Sequence, residues 1–157
     1  MQTPVETIPT RILVAVDGSP HSMVACRYAA GLAHRLGATL IALHAVSPDA
    51  SLPSFGAPTE TARAALQAET TARLVGESIL DEARAAIDEL VPLEIDLAFG
   101  EPAEVIINRA RELEADLIVV GSRGLGLVDR LLLGSVSTAV VQQAHCPVLV
   151  VRDPAEE

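Results

Sequence analysis

Gly121-Ser-Arg-Gly-Leu-Gly-Leu-Val-Asp-Arg-Leu-Leu-Leu-Gly-Ser135 is the stretch from which the rest of the chain can be read. It begins where the apolar run Asp116-Leu-Ile-Val-Val120 ends, and it closes where residues at helical spacing begin. An apolar run that lacks period-2 alternation reads as a strand covered on both faces. Gly121 and Gly124 give a backbone able to adopt unusual dihedrals and to approach a ligand closely. Gly134-Ser135 stands at a predicted helix start, where unpaired N–H groups and the helix dipole favour an anion. Together these features describe a phosphate cradle made largely of backbone. The rival reading is a loop of ordinary glycines with Ser135 as a helix cap. The strand before, the helix after and a matching turn near the start of the chain favour the cradle.

Working outward, residues 11–16 form the first apolar run, and Asp17-Gly18-Ser19-Pro20 ends it. Ser19 suits an N-cap and Pro20 the first helical position. Ala25, Tyr28, Ala29, Leu32, Ala33 and Leu36 recur at helical spacing until Gly37 stops the helix. Residues 38–46 predict a second strand. Residues 47–59 are rich in proline and predict a long loop, either a functional flap or disordered. Residues 60–90 are charged and alanine-rich, with Leu80, Ala83, Ile87 and Leu90 as a buried stripe. The part before Gly76 reads as a separate or frayed turn. Residues 93–99 alternate apolar with acidic side chains, as an outer strand does. Pro102 opens a third helix with Val105, Ile106, Ala110 and Leu113 on its apolar face. Residues 117–120 predict strand four, 135–144 helix four and 147–151 strand five.

Four strand–helix repeats and a closing strand predict an α/β, doubly wound, five-stranded parallel sheet with helices on both faces. The expected strand order is 3-2-1-4-5, in which strands one and four are neighbours and the winding reverses between them. Ligands bind beyond the carboxyl ends of strands at such a switch point. The turn after strand one (Asp17-Gly18-Ser19) and the glycine loop after strand four therefore face one crevice. Asp17 lies at its floor. The residue is suited to accept hydrogen bonds from a base or ribose, to hold a cation, or to cap the first helix. The domain spans residues 11–152, between a loose tail at 1–10 and an acidic tail at 153–157.

Composition narrows the function. The 157 residues are half hydrophobic, with one tyrosine, two phenylalanines and no tryptophan. That suits one aliphatic core and offers no stacking platform for nucleic-acid bases. A formal charge of −10 repels polyanions, so nucleic acid is not an expected partner. No apolar run reaches membrane-spanning length and no secretory signal is visible, so a cytoplasmic location is expected. Cys26 and Cys146 form no Cys-x-x-Cys pair and read as reduced packing residues. His21, His34, His44 and His145 show no paired metal spacing, and His44 reads as a packed histidine near the crevice. There is no Gly-x4-Gly-Lys-Ser/Thr and no Gly-x-Ser-x-Gly, which removes P-loop and serine-hydrolase chemistry. Gly124-x-Gly126-x-x-Asp129 breaks the dinucleotide fingerprint at its last position. Arg123 and Arg130 read first as solvated loop cations. Glu101 and Glu104 read as partners of the third helix's dipole.

The spacing Gly121-x2-Gly124-x9-Gly134-Ser135 resembles the nucleotide-binding signature of the universal stress protein family. The opening Ile12-Leu-Val-Ala-Val-Asp17-Gly-Ser and the ending Cys146-Pro-Val-Leu-Val-Val151 are similar to that family too, and the resemblance covers roughly residues 11–152. It implies a Rossmann-like fold of the adenine nucleotide alpha hydrolase-like kind and a stress-response regulatory module that binds ATP, with Mg²⁺ or Mn²⁺ held through the phosphates. By the same resemblance Ala15 and Asp17 contact the adenosine part and Val46 lines the adenine. Gly121, Gly124, Gly134, Ser135 and Ser137 surround the ribose and phosphates, with Ser122, Arg123 and Val136 in backbone contact. No catalytic base or dedicated lysine is apparent, so hydrolysis is expected to be slow at most. The alternatives are a slow ATPase or adenylyl-transferring enzyme on the same fold, or a nucleotide-free interaction protein. Strand five, an apolar edge guarded only by Pro147 at its start, predicts a homodimer, an arrangement the resemblance also implies.

Overall fold

A strand with apolar residues in every position has to be covered on both faces, and the central strands of this chain are. The computed structural model describes residues 8–47, 59–87, 89, 91–123 and 133–154. Strands β1 (Arg11–Ala15), β2 (Thr39–Val46), β3 (Leu93–Phe99), β4 (Leu117–Gly121) and β5 (Val148–Val151) alternate with four helices. These are α1 (Pro20–Leu36), α2 (Thr59–Ala86), α3 (Pro102–Glu112) and α4 (Ser135–Gln143). The sheet is parallel throughout, in the order β3-β2-β1-β4-β5. Ile12 lies opposite Leu40 on one side and Leu117 on the other, so β1 is the middle strand. This is the doubly wound α/β fold expected, and its ends differ from the reading by a residue. β1 stops at Ala15, although Val16 N–H still donates to the Leu43 carbonyl at 2.8 Å, and β4 runs on to Gly121, opposite Val151.

Side-chain alternation sorts the core into two layers. Ile12, Val14, Leu40, Ala42 and Val119 face α1 and α2. Leu13, Ile41, Leu43, Ile118 and Val120 face α3 and α4. Helix α1 begins and ends on local chemistry. Ser19 caps it, accepting from Ser22 N–H at 3.2 Å, and Gly37 closes it at φ +67° with Ala38 N–H on the Ala33 carbonyl at 2.9 Å. Glu101 does more than balance a dipole: its carboxylate caps α3 by accepting from Glu104 N–H.

Helix α2 departs from the sequence reading. It is one helix across Gly76, with no break between a frayed turn and a main helix. Gly76 is buried and packs against His44 and Leu97, so it serves the packing of the helix and does not end it. Of the predicted loop, residues 48–58 lie outside the described residues, as do 1–7 and 155–157 of the tails. Among the described residues no helix is long and apolar enough to cross a membrane.

The two sheet edges differ. On β3, Glu94 pairs with Arg11 at 3.1 Å, and Asp96 takes a two-pronged contact from Arg109 at 2.6 and 2.9 Å. Such charges discourage edge pairing, whereas β5 carries only valine and leucine.

At the amino ends of the strands, Asp116 ties the chain's entry to β4. Its carboxylate accepts from Thr10 N–H, from the Thr10 hydroxyl at 2.9 Å and from Arg11 N–H at 3.1 Å. Burial opposes the charge, but these donors outweigh it and hold the Asp116 carboxyl below its ordinary value. Between the two values the unfolded chain binds more protons than the folded one. The stabilisation is therefore present above the ordinary aspartate value, roughly 3.9, and is lost as pH falls through the lower folded value. Asp116→Ala is expected to cost about 1–3 kcal/mol at neutral pH, and its deficit against wild type should shrink as the pH is taken below roughly 4. Urea denaturation over a pH series measures both; a deficit independent of pH would remove the carboxylate from the explanation.

Candidate functional site

The chain leaves β1 and β4 toward opposite faces of the sheet, and β2, which pairs with β1 as far as Leu43, runs on past that level to Val46. After β1, Gly18 adopts φ +82°, a conformation that suits glycine. Asp17 Oδ1 accepts from Ser19 N–H at 2.9 Å, and Asp17 N–H donates to Ser22 Oγ at 3.2 Å. Ser22 Oγ donates in turn to the Ser19 carbonyl at 3.0 Å. The turn is thus closed on itself. Ser19 holds the cap of α1, so Asp17 is not that cap: it braces the turn through one carboxylate oxygen and lines the cleft.

After β4, the backbone is pinched. Ser122 N–H donates to the Val151 carbonyl at 2.9 Å, and the Ser122 carbonyl accepts from Gly134 N–H at 2.8 Å and from Ser137 Oγ at 3.3 Å. The excursion between Ser122 and Gly134 therefore starts and ends at the same place. Gly134 is the N-cap of α4 at φ −61° and offers no side chain to the helix start. Ser135 is the first helical residue and not the cap. Ser137 Oγ donates back to the Gly134 carbonyl at 2.9 Å. The start of α4, a positive helix end, has no side-chain cap among the described residues, and Gly134 to Ser137 line the cleft.

Gly121 corrects one physical reason given by the sequence. Its backbone is not in the positive-φ region, where the described glycines are Gly18, Gly37 and Gly100. A Cβ on Gly121 would lie 3.0 Å from the carbonyl carbon of His21 and 3.1 Å from its oxygen. Glycine is required because the first turn of α1 packs on β4 there.

These elements enclose a cleft of about 540 Å³, within the range of small-molecule sites. Ala15, Asp17, Val46, Gly121, Arg123, Gly134, Ser135, Val136 and Ser137 all line it. Ser122 is buried and sits behind the wall, where it closes the loop. Gly124 and Arg130 lie outside the described residues. Sequence reasoning missed the walls. On the α3/α4 layer these are Leu43, Ala45, Pro102, Ile106 and Val120. On the α1/α2 layer they are Val16, His44, Ala72, Val75 and Ile79. The parity of β1 and β2 was a usable signal, since it sets Ala15 and Ala45 on one face and leaves a recess between small side chains. Nothing in the local pattern of α2 pointed to the cleft. Asp17 is the one acid among the described lining residues, and Arg123 the one permanent cation.

A doubly wound parallel sheet with a cleft at its switch point defines a Rossmann-like α/β domain. The Universal stress protein family model matches residues 9–152, and the chain belongs to that family. A universal stress protein of Thermus aquaticus is 41% identical over 145 residues, covering 90% of this chain and 97% of the relative. Among solved structures, the universal stress protein UspA of Lactobacillus plantarum superposes with a TM-score of 0.70 at 27% identity, covering 91% of this chain and 97% of its own. A universal stress protein solved in complex with cAMP gives a TM-score of 0.62 at 28% identity, covering 93% and 98%.

Gly121→Ala is expected to cost about 1–3 kcal/mol, because both contacting His21 atoms are backbone and cannot rotate away. Guanidinium denaturation measures it, and a variant as stable as wild type would show that the α1–β4 packing has slack.

Proposed function

We propose that this universal stress protein is an adenine-nucleotide-binding regulatory module that takes ATP with Mg²⁺ or Mn²⁺ and acts through partners in a stress response. The observation that carries the reading is the start of α4, where the cap Gly134 brings no side-chain hydrogen bond and Gly134 to Ser137 line the same cleft as the Ala15–Ala45 recess. A phosphate satisfies the backbone donors of a helix start and the helix dipole together. A flat apolar base suits the recess, with Leu43, Ile106 and Val136 around it. Asp17 Oδ2 is available to ribose hydroxyls. The residues fit the nucleotide, and the divalent ion is assigned to the phosphate oxygens, with Asp17 the acid in reach of the cleft. The related protein bound to cAMP supports an adenine ligand.

Each role follows from placement. The α4 donors orient the phosphates, Asp17 the sugar, and the alanine recess excludes water from one face of the base. Gly124, Ser122 and Arg123 are assigned to backbone or side-chain contact with the phosphate chain, as the family resemblance implies. No residue is assigned a catalytic proton transfer, so the nucleotide acts as a ligand. Calorimetry with MgATP is expected to give saturable one-to-one binding, and Ala45→Leu, which fills the recess without removing a polar group, to weaken it at least about tenfold. Equal affinities would sink the assignment of the base.

The reading includes a homodimer. Strand β5 pairs with β4 on one side, and its outer edge bears no charge. A two-fold axis beside it joins two copies antiparallel and satisfies both edges. Light scattering at micromolar concentration is expected to give twice the chain mass, and a monomer mass would refute it.

A further inference from the structure

Helix α2 forms the outer wall of the α1/α2 side of the cleft, and its hold on the sheet is narrow. Twenty-eight residues span about 42 Å, well beyond the reach of strands of four to eight residues. Its first half is almost wholly exposed, with Leu66 65% accessible, and just beyond the midpoint Leu74 is 60% accessible. The helix meets the sheet along one stripe, Ala72, Gly76, Ile79, Leu80 and Ala83. Of these, Ala72 and Ile79 line the cleft, with Val75 beside them. Arg73, stacked 4.8 Å over the Phe99 ring, adds one contact at the sheet margin.

Gly76 is where backbone meets sheet most closely. A Cβ there would lie 2.8 Å from His44 Cδ2 and 2.8 Å from Leu97 Cδ1. Leu97 Cδ1 is the tip of a rotatable side chain and can move. The imidazole cannot move at the same cost, because Nδ1 is bonded to the Val16 carbonyl at 2.7 Å. With Nδ1 donating, the ring plane is fixed by the strand end that leads into Asp17. Three residues further along, Ile79 Cγ1 lies 3.2 Å from the Cβ position of Gly18, in the Asp17 turn. The helix therefore rests on two glycines, and both contacts touch the parts of β1 and β2 that shape the cleft.

We propose that Gly76 is a positioning residue: its bare backbone against the tethered His44 ring sets how close α2 stands to the sheet, and thereby the width of the nucleotide cleft. This rests on the nucleotide reading and deepens it. Any side chain at position 76 has to break the His44–Val16 bond or push α2 outward. Pushed outward, Ala72, Val75 and Ile79 move away from the ligand together.

The test is a double-mutant cycle of Gly76→Ala and His44→Ala with two readouts, MgATP affinity by calorimetry and amide hydrogen exchange of residues 72–80 without nucleotide. Gly76→Ala alone is expected to weaken binding about tenfold and to speed exchange across that stretch while β1 and β4 exchange as in wild type. In the His44→Ala background, where the ring is gone, the added methyl group should cause little further change in either readout. A merely structural loss would instead add to that of His44→Ala in both. Additive effects, or wild-type affinity and exchange in Gly76→Ala, overturn the proposal. If Gly76→Ala fails to fold, the double variant decides: its folding with slow exchange supports the proposal, and its failure overturns it. If wild type binds no adenine nucleotide, the nucleotide reading fails, while the exchange cycle still decides what Gly76 positions.

Discussion

Strand β1 is hydrogen-bonded to β2 over five residue pairs and to β4 over three, and every other feature of the molecule is hung on that double pairing. Ile12, Leu13 and Val14 are fully buried, so neither face of the strand tolerates a polar residue. Because β2 and β4 flank β1, the chain has to cross one face to reach β2 and the other face to reach β4. Right-handed crossovers then put α1 and α2 on one layer and α3 and α4 on the other. At the carboxyl ends of β1 and β4 the departing backbones diverge toward opposite layers. The cleft is a consequence of winding, and the chemistry within it comes from what each strand end carries.

What those ends carry is an unusual scarcity of side chains. Gly18 turns the chain where a Cβ would be strained, Gly121 admits the backbone of α1, Gly134 starts α4 without a capping group, and Gly76 lets α2 approach. Ala15 and Ala45 add small side chains at the floor. Each position solves a different local problem, yet together they let backbone form part of the wall, beside side chains such as Leu43, Ile79 and Ile106. Backbone donors are held by the secondary structure on both sides of them and lose little freedom when a ligand arrives. Under the proposed reading, a ligand bound this way is recognised by shape and by its acceptors.

The sequence made the sheet order legible because the strands are short, apolar and separated by strong stop signals such as Ser19-Pro20, Gly37 and Gly100-Glu-Pro102. It made the two loops of the cleft legible because turn residues are local. It misjudged α2, since Gly76 looks like a breaker when its partners, His44 and Leu97, are unknown. Those partners lie more than twenty residues away in either direction, and no local pattern encodes them. The same limit explains Gly121: a glycine for φ and a glycine for close approach look alike until the helix that packs on it is in place. Ser135 was assigned a possible cap because its side chain fits the role. The structure gives the cap to Gly134, and the difference matters, because a serine cap would have satisfied one of the donors at the helix start.

An acidic chain with an anion site invites an objection, since the formal charge is −10. Distance resolves it. At physiological ionic strength charges are screened over about 8 Å, so acids on the far surface, such as those of β3 that are already paired with Arg11 and Arg109, contribute little at the cleft. Under the proposed reading, what a phosphate meets among the described residues is local: the start of α4, with the positive end of that helix, and Arg123. Among the described residues that line the cleft the one acid is Asp17, which follows β1, whereas α4 follows β4. A nucleotide laid with its sugar toward Asp17 and its phosphates toward α4 keeps the two negative charges apart, whereas the reverse orientation brings them together and leaves the helix donors unpaired. Under the proposed nucleotide reading, this charge arrangement favours one polarity of the ligand where shape alone would accept either direction.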